Sequence, residues 1–241
     1  MIAKGIIAYD GSRFYGMERQ PGRRTVQGAI EQALRRLGIL GKISYAGRTD
    51  RGVHATRQVV SFQIPPYWQG HLAKLKRELN RHLRGEIFFR QLLSAPPGFH
   101  PRHSAQWRSY RYLITSRPTP FSRLYSYYYP YQIPVEKLNW VAQLLVGEWD
   151  FKLFAKTGSD PLHYRRTVYF VRFYPYRHWT VFRIVGNSFL RGQVRLLVNF
   201  LLKIGEGKLK EEDFYRQLTG ERAYFRKPVP PTGLYLTGVG Y

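Results

Sequence analysis

The chain has 241 residues, 44% of them hydrophobic, so it is long enough to bury a core in one large domain or two smaller ones. Its 39 Lys and Arg against 15 Asp and Glu leave a formal charge of +24, an excess typical of proteins that bind a polyanion such as nucleic acid. The absence of cysteine excludes disulfides, zinc–thiolate sites and thiol nucleophiles.

In chain order, the hydrophobic spacing of the first half predicts a compact α+β unit. The predicted elements are a strand at 2–9, a helix capped by Thr25 and closed by Gly38, strands at 43–46 and 58–64, a helix at 72–83 and a strand at 87–92. The segment 47–56 is then a loop between two strands. We place a domain boundary at Pro96-Pro97-Gly98, which gives a first domain at 1–98.

The second predicted domain, 99–241, repeats this mixture. Its predicted elements are strands at 107–114 and 125–131, a helix opened by Pro134, a hairpin of 168–174 with 180–185, helices at 189–204 and 211–218, and a strand at 234–241. The fold class expected is therefore α+β, with two α/β subdomains, largely antiparallel sheets flanked by helices, and an active-site cleft between them.

The partner expected from composition is structured RNA. Many of the basic residues are arginines interleaved with 19 Tyr, 15 Phe and 5 Trp, which supply forked phosphate contacts and flat faces for stacking bases. Apolar runs such as 196–202 are far shorter than the roughly 20 residues of a membrane span, and no secretory signal pattern is visible. We expect a cytoplasmic protein without membrane contact.

Two acid-free stretches, 102–123 with five arginines and 163–195 with seven, concentrate the positive charge in the second predicted domain. They could be solvated strand faces, since so high a charge scatters arginines widely. They could also form a surface that follows an RNA backbone, in which case binding must weaken steeply with salt.

One carboxylate, Asp50, lies among arginines and glycines in the segment Gly47-Arg48-Thr49-Asp50-Arg51-Gly52-Val53-His54. The glycines permit a tight loop, and neighbouring guanidinium groups favour the ionised form of the carboxylate. Such a group could act as a nucleophile or base on a nucleoside. The alternative is that Asp50 only accepts bonds from loop amides or neutralises an arginine.

This segment closely resembles the G-R-T-D-x-G-V-H signature of the TruA family of tRNA pseudouridine synthases, in which the loop carries the catalytic aspartate. Further matches follow in family order: Tyr9-Asp10-Gly11 with Phe14 and Gly16, Thr25-Val26-Gln27, Phe99-His100-Pro101-Arg102, Tyr110-Arg111-Tyr112, Gly186-Asn187-Ser188-Phe189, Val194-Arg195 and Pro231-Thr232-Gly233-Leu234. The resemblance implies a cofactor-free isomerase that converts uridine to pseudouridine in the anticodon stem-loop of tRNA, at positions 38–40 in relatives. It also implies a homodimer.

The resemblance assigns three catalytic residues. Asp50 would attack or deprotonate the nucleoside, so that uracil detaches, turns and rejoins through carbon. Tyr110 would pack on the target uracil, although it could also be an ordinary core tyrosine of a strand. Arg195 would pair with the aspartate and keep it charged, although phosphate binding or a charge at a helix end would also explain it.

Four more residues are assigned to substrate binding. Arg48 matches an arginine associated with displacing the target base, a step needed because the glycosidic bond is unreachable inside a stacked stem. Arg51 and His54 belong to the same loop, and Leu234 lies in a segment whose apolar side chain lines the uracil pocket.

Metal and cofactor sites are not expected, because no acid cluster accompanies Asp50 and no phosphate-binding Gly-rich signature is present. Gln193 departs from the family pattern, which usually has methionine there, and Met17 and Glu18 depart from it near the N-terminus. The main alternative function is a catalytically silent RNA-binding protein, which the charge and aromatic content alone would fit. Asp50 separates the two, because a pure binder has no use for it.

Overall fold

The computed structural model describes residues 1–158 and 161–241, which form two compact units. Unit 1 comprises Met1–Gln106 with Leu236–Tyr241, and unit 2 comprises Trp107–Tyr235. A single boundary at residue 98 assigns the C-terminal residues to the second domain, whereas Leu236–Tyr241 belong to unit 1. Both units combine helices with mainly antiparallel strands, so the α+β prediction is confirmed.

Ten strands and five α-helices make up the described chain. In order they are β1 (Ile2–Tyr9), α1 (Val26–Arg36), β2 (Ser44–Tyr45), β3 (His54–Gln63), α2 (Leu72–Leu83), β4 (Ile87–Ser94), β5 (Trp107–Thr115), β6 (Tyr127–Tyr128), α3 (Val135–Ala142), β7 (Gly147–Asp150), β8 (Arg165–Tyr176), β9 (Trp179–Gly186), α4 (Gln193–Gly205), α5 (Glu211–Leu218) and β10 (Leu234–Gly240). Within the described ranges, no helix is both long and apolar enough to cross a membrane.

In unit 1 the strand order is β4-β1-β3-β10, and the short β2 pairs with the second half of β3. β1 pairs antiparallel with both β3 and β4, and every second side chain of β1 is buried, as expected of a strand with one face on a core. Tyr9, at the end of β1, lies opposite Ala55 at the start of β3. The end of β1 therefore lies beside the loop that precedes β3.

The predicted helices of unit 1 are confirmed. Thr25 caps α1, because its side-chain oxygen accepts a bond from the Gly28 amide at 3.2 Å. Gly38 follows the helix with φ +75°, a conformation that favours glycine. α2 has the predicted bounds, and its Leu75 and Leu79 are fully buried.

Unit 2 is built on the antiparallel order β5-β9-β8-β7, with β6 parallel to β5. α4 is apolar almost all round and ten of its residues are buried, which is typical of a central helix. Phe154, Phe200 and Phe214 pack with ring centroids 5.2–5.9 Å apart and form the centre of this core.

The largest differences from the sequence predictions concern β3, β6, β7 and α4. β3 begins at His54, so the loop before it ends earlier than expected. The strand predicted at 125–131 is reduced to Tyr127–Tyr128. β7 was not predicted. α4 begins at Gln193 and not at 189, because Gly192 takes φ +73° and stops the helix from extending towards the N-terminus.

Candidate active site

The Asp50 loop, residues 46–53, connects β2 to β3, and its first two residues are bonded to β3. The Ala46 amide donates to the Val59 carbonyl at 2.9 Å, and the Gln58 side-chain amide donates to the Gly47 carbonyl at 2.7 Å. Gly52, with φ +79°, turns the chain so that the Val53 amide reaches the Asp50 carbonyl at 3.1 Å. Asp50 is half-buried in this fixed turn.

Thr49, the residue before Asp50, is held through both its side chain and its backbone. Its hydroxyl lies 2.7 Å from the Tyr9 hydroxyl, and its carbonyl accepts a 3.1 Å bond from the Met17 amide. Burial raises the pKa of Tyr9 to about 12, so this phenol stays neutral and keeps the bond at physiological pH. Asp50 therefore follows an anchored residue.

Two glycines of the N-terminal segment allow its backbone to touch the Asp50 loop. A Cβ on Gly11 would lie 2.0 Å from the Val53 carbonyl oxygen. A Cβ on Gly16 would lie 2.6 Å from the Thr49 carbonyl oxygen, and Gly16 also has φ +94°. These glycines are needed for contact with the loop, which explains why the two motifs occur together.

His54 is buried at the start of β3, with 2% of its surface exposed. Its Nδ1 accepts a 3.1 Å bond from the Gly11 amide and also lies 3.4 Å from an Asp10 carboxylate oxygen. A protonated Nδ1 could pair with Asp10 but could not accept from Gly11, and the shorter, directed backbone bond favours the acceptor form. His54 thus joins β3 to the turn after β1, and its assignment to substrate binding stays a prediction.

The two arginines of the loop are exposed and have partners in the N-terminal segment. Arg48 forms a 2.8 Å ion pair with Glu18, a residue that the sequence analysis noted only as a departure. The Arg51 guanidinium lies 4.3 Å from the ring centroid of Tyr15, and Arg23 lies 4.7 Å from the same centroid. Tyr15 and Glu18 were not identified as site residues, because their role depends on contacts across the fold.

In unit 2, Tyr110 lies in β5 opposite Ile184 of β9 and is 8% exposed. Phe189 packs edge-on against its ring, with centroids 5.2 Å apart. Phe189 is positioned by Asn187, whose side-chain oxygen accepts bonds from the amides of Thr167 and Ser188 at 3.1 and 2.6 Å. The conformation of Gly186-Asn187-Ser188 therefore fixes one wall beside Tyr110.

Arg195 is the third residue of α4 and is half-buried. Its Nε donates to the Val229 carbonyl at 2.7 Å, and the Val229 amide donates to the Arg195 carbonyl at 3.1 Å. This reciprocal pair fixes the guanidinium relative to the segment 229–233. Tyr112 donates to the Pro230 carbonyl of that segment at 2.8 Å.

Leu234 follows the same segment and is 6% exposed. Before it, Gly233 lies against β5, since a Cβ there would come within 2.8 Å of the Leu113 carbonyl oxygen and 2.9 Å of the Tyr112 ring. Unit 2 thus connects Arg195 and Leu234 through one segment that is bonded to β5 and α4. Unit 1 brings Arg48, Asp50, Arg51 and His54 together on one loop and the first residue of β3.

Several known proteins are similar to this chain. A family model described as tRNA pseudouridine synthase matches residues 141–241. A tRNA pseudouridine synthase A of Wolinella succinogenes is 40% identical over 236 residues, which cover 98% of this chain and 92% of that protein. One of Campylobacter jejuni is 35% identical over 242 residues and 100% of both chains, and one of Helicobacter hepaticus is 38% identical over 245 residues, 99% of this chain and 98% of that protein.

Proposed function

Because the chain belongs to the tRNA pseudouridine synthase A family, we propose that it isomerises uridine to pseudouridine in tRNA, with Asp50 as the catalytic carboxylate. Full-length similarity to relatives of that name supports the reaction. The choice of Asp50 as the catalytic residue rests on the anchored turn that contains it. Thr49 is fixed by Tyr9 and Met17, so that the half-buried Asp50 has a defined position. A preorganised carboxylate is what nucleophilic or general-base chemistry needs.

In the proposed reaction Asp50 attacks or deprotonates the nucleoside, the bond between uracil N1 and ribose C1′ breaks, and the base turns. A new bond forms between C5 and C1′, C5 loses its proton and N1 gains one. The product is an isomer of the substrate, so the overall reaction consumes neither an oxidant nor a cofactor. Arg195 keeps the carboxylate ionised in this proposal, because a close guanidinium favours the charged form.

Tyr110 is proposed to pack on the target uracil and Leu234 to line its pocket. Both side chains are largely buried in unit 2 and rest on rigid backbone, which suits groups that hold a flat base in place. The Tyr110 ring is braced edge-on by Phe189, which limits its movement.

Arg48 is proposed to help displace the target base, with Arg51 and His54 among the substrate-binding residues. The Arg48 side chain is 66% exposed and that of Glu18 45% exposed, and an exposed ion pair of this kind contributes only about 0–1 kcal/mol. Arg48 can therefore leave Glu18 for RNA at little cost in free energy.

The decisive experiment is Asp50→Asn, which keeps the size of the side chain and removes the charge. We expect pseudouridine formation on unmodified tRNA to fall by about 10⁴-fold or more, as for other essential catalytic groups, with tRNA affinity nearly unchanged. Asp150→Asn is the control, because Asp150 is an exposed aspartate outside the Asp50 loop, and its side chain accepts a bond from the Lys152 amide. Turnover near the wild-type rate in Asp50→Asn would contradict the proposal and leave an RNA-binding protein.

The finer parts of the proposal are the target and the assembly. We propose uridines of the anticodon stem-loop, at positions 38–40, and action as a cytoplasmic homodimer. Mapping pseudouridine in tRNA after incubation with the purified protein tests the positions. Sedimentation of the protein at several concentrations tests the dimer.

A further inference from the structure

Unit 1 contains a surface cavity of about 400 Å³ that the proposed reaction does not use. It lies between α1, along the length of that helix, and the C-terminal end of α2, and three of its lining residues on α1 are small: Gly28, Ala29 and Ala33. Ligand pockets commonly measure roughly 300–1,000 Å³, so this volume is sufficient for a small group. The lining includes no residue of the Asp50 loop.

The lining of this cavity is strongly basic. Its charged and titratable residues are Arg23, Arg24, Arg36, Arg84, His82 and a single carboxylate, Glu86. Bringing four guanidinium groups around one cavity costs repulsive free energy, which a bound anion relieves. Guanidinium forks match the oxygen atoms of a phosphate especially well.

Glu86 neutralises only part of the positive charge of the cavity, because its two oxygens are shared by Arg13 and Arg24. Arg13 donates to its Oε1 at 3.1 Å, and Arg24 pairs with both of its carboxylate oxygens. Bonds from Arg24, together with those from Arg13, lower the pKa of Glu86, so the carboxylate is charged and already paired. Among residues 1–158 and 161–241, Arg36 and Arg84 form no ion pair and remain available to an anion.

The backbone of α1 is not what would bind the anion. The Val26 amide donates to the Gly16 carbonyl at 3.1 Å and the Gln27 amide to the Met17 carbonyl at 2.9 Å, while Gly28 donates to the Thr25 side chain. The first amides of the helix are therefore occupied, unlike those of an anion site at a helix N-terminus. Recognition must come from the arginine side chains.

Arg84 has a backbone conformation that arginine seldom adopts. It ends α2 with φ +51° and ψ +36°, in the left-handed region that favours glycine or asparagine. A strained residue is more often found where its side chain has a function. At this position the side chain adds a positive charge to the cavity.

We propose that this cavity binds a phosphate of the RNA backbone through Arg23, Arg36 and Arg84, as a subsite whose lining contains no residue of the Asp50 loop. This inference rests on tRNA as the proposed substrate. If the arginine-rich stretches 102–123 and 163–195 follow the RNA backbone, a phosphate subsite on unit 1 extends that surface.

The test compares two double variants that each remove two positive charges. The cavity variant is Arg36→Gln with Arg84→Asn, in which asparagine suits the left-handed backbone and thus protects the fold. The control is Arg35→Gln with Arg77→Gln, since Arg35 shares the last turn of α1 with Arg36 and neither residue lines the cavity. Thermal unfolding first confirms that both variants are folded.

Affinity for unmodified tRNA is then measured over a series of salt concentrations. We expect the cavity variant to bind about fivefold or more weakly than the control at about 0.1 M salt. The slope of log K against log salt should become shallower by about 0.7–0.9 for each phosphate that the variant no longer binds. KM for tRNA rises and kcat does not, because the Asp50 loop is unaltered. Equal affinity and equal slope in the two double variants would overturn the proposal.

A second measurement separates RNA phosphate from free phosphate. Inorganic phosphate, added at constant ionic strength, should raise the unfolding temperature of the wild type and the control but not of the cavity variant. If that difference is found while both variants bind tRNA equally, the cavity holds free phosphate only and the RNA proposal is wrong. A wild-type protein that binds tRNA without forming pseudouridine would contradict the proposed function, but the comparison of variants would still decide the cavity.

Discussion

At the residue scale, Thr49 is held from the N-terminal segment by the Tyr9 hydroxyl, the Met17 amide and the bare backbone of Gly16. None of these groups belongs to the loop that carries Asp50. The position of the proposed catalytic carboxylate therefore depends on close contact between two segments that are distant in the sequence.

Gly16→Ala should disrupt this contact. The new Cβ would meet the Thr49 carbonyl oxygen at 2.6 Å, and φ +94° is strained for alanine. Overpacking costs about 1–3 kcal/mol and left-handed strain about 1–2 kcal/mol, so stability should fall by the sum of the two and pseudouridine formation should fall with it. Denaturant unfolding and an activity assay measure the two effects.

Gly22→Ala is the matched control for strain alone. Gly22 has φ +65°, and a Cβ there would have no atom within 4 Å. The free energy of unfolding of the Gly22→Ala variant should fall by about 1–2 kcal/mol, and its activity should be unchanged. Equal losses of stability and activity in the two variants would show that the contact with Thr49 has no special importance.

At the element scale, α4 ends in a carboxylate that its own dipole disfavours. Glu206 lies at the C-terminal cap of α4, where negative charge is unfavourable, and its side chain is 4% exposed. Lys203 Nζ lies 2.5 Å and the Tyr129 hydroxyl 2.8 Å from Oε1, and Lys208 Nζ lies 2.7 Å from Oε2. These three partners stabilise the charged carboxylate and connect α4 to the segment 127–131.

Burial works to raise the pKa of Glu206, but the bonds from Lys203, Lys208 and Tyr129 outweigh it and lower the pKa from 4.5 to about 2. A depressed pKa means that the folded protein holds the proton less tightly than the unfolded chain does. The stabilisation is therefore complete above about pH 4.5 and is lost as the pH falls towards 2.

Glu206→Gln should accordingly lower the free energy of unfolding at pH 7 by up to about 3 kcal/mol. The difference in the free energy of unfolding between wild type and variant should become smaller as the pH falls from 4.5 to 2. Denaturant midpoints at pH 7, 4 and 3 measure it, and Glu148→Gln, which loses only an exposed pair with Arg165, should change little. A gap that does not vary with pH would contradict this account.

At the scale of the whole molecule, the charge of +24 should dominate the encounter with tRNA. If the protein contacts roughly six to ten phosphates, affinity should fall about 10³- to 10⁵-fold between roughly 50 and 200 mM salt. Measuring the affinity for tRNA at several salt concentrations gives this salt dependence. A flat dependence would indicate that the basic stretches are solvated surfaces only.

Local sequence signals were sufficient to predict the α+β class, nearly all of the helices and strands, and the loop that carries Asp50. Hydrophobic periodicity, caps and glycines act over a few residues, so they can be read directly. The bounds of α2 followed from its leucine spacing, and α5 also has the predicted bounds. The predicted start of α4 at Phe189 was wrong because the signal there is ambiguous: an apolar side chain suits the wall of a loop as well as a helix.

Contacts between residues that are distant in the sequence, in contrast, are visible only in the folded chain. Tyr9 reaches Thr49 across 40 residues, and Arg24 reaches Glu86 across 62. The burial of His54, the pairing of Arg48 with Glu18 and the basic cavity between α1 and α2 have no local signature. Such contacts are set by how strands and helices pack, and packing depends on all the side chains of a core together.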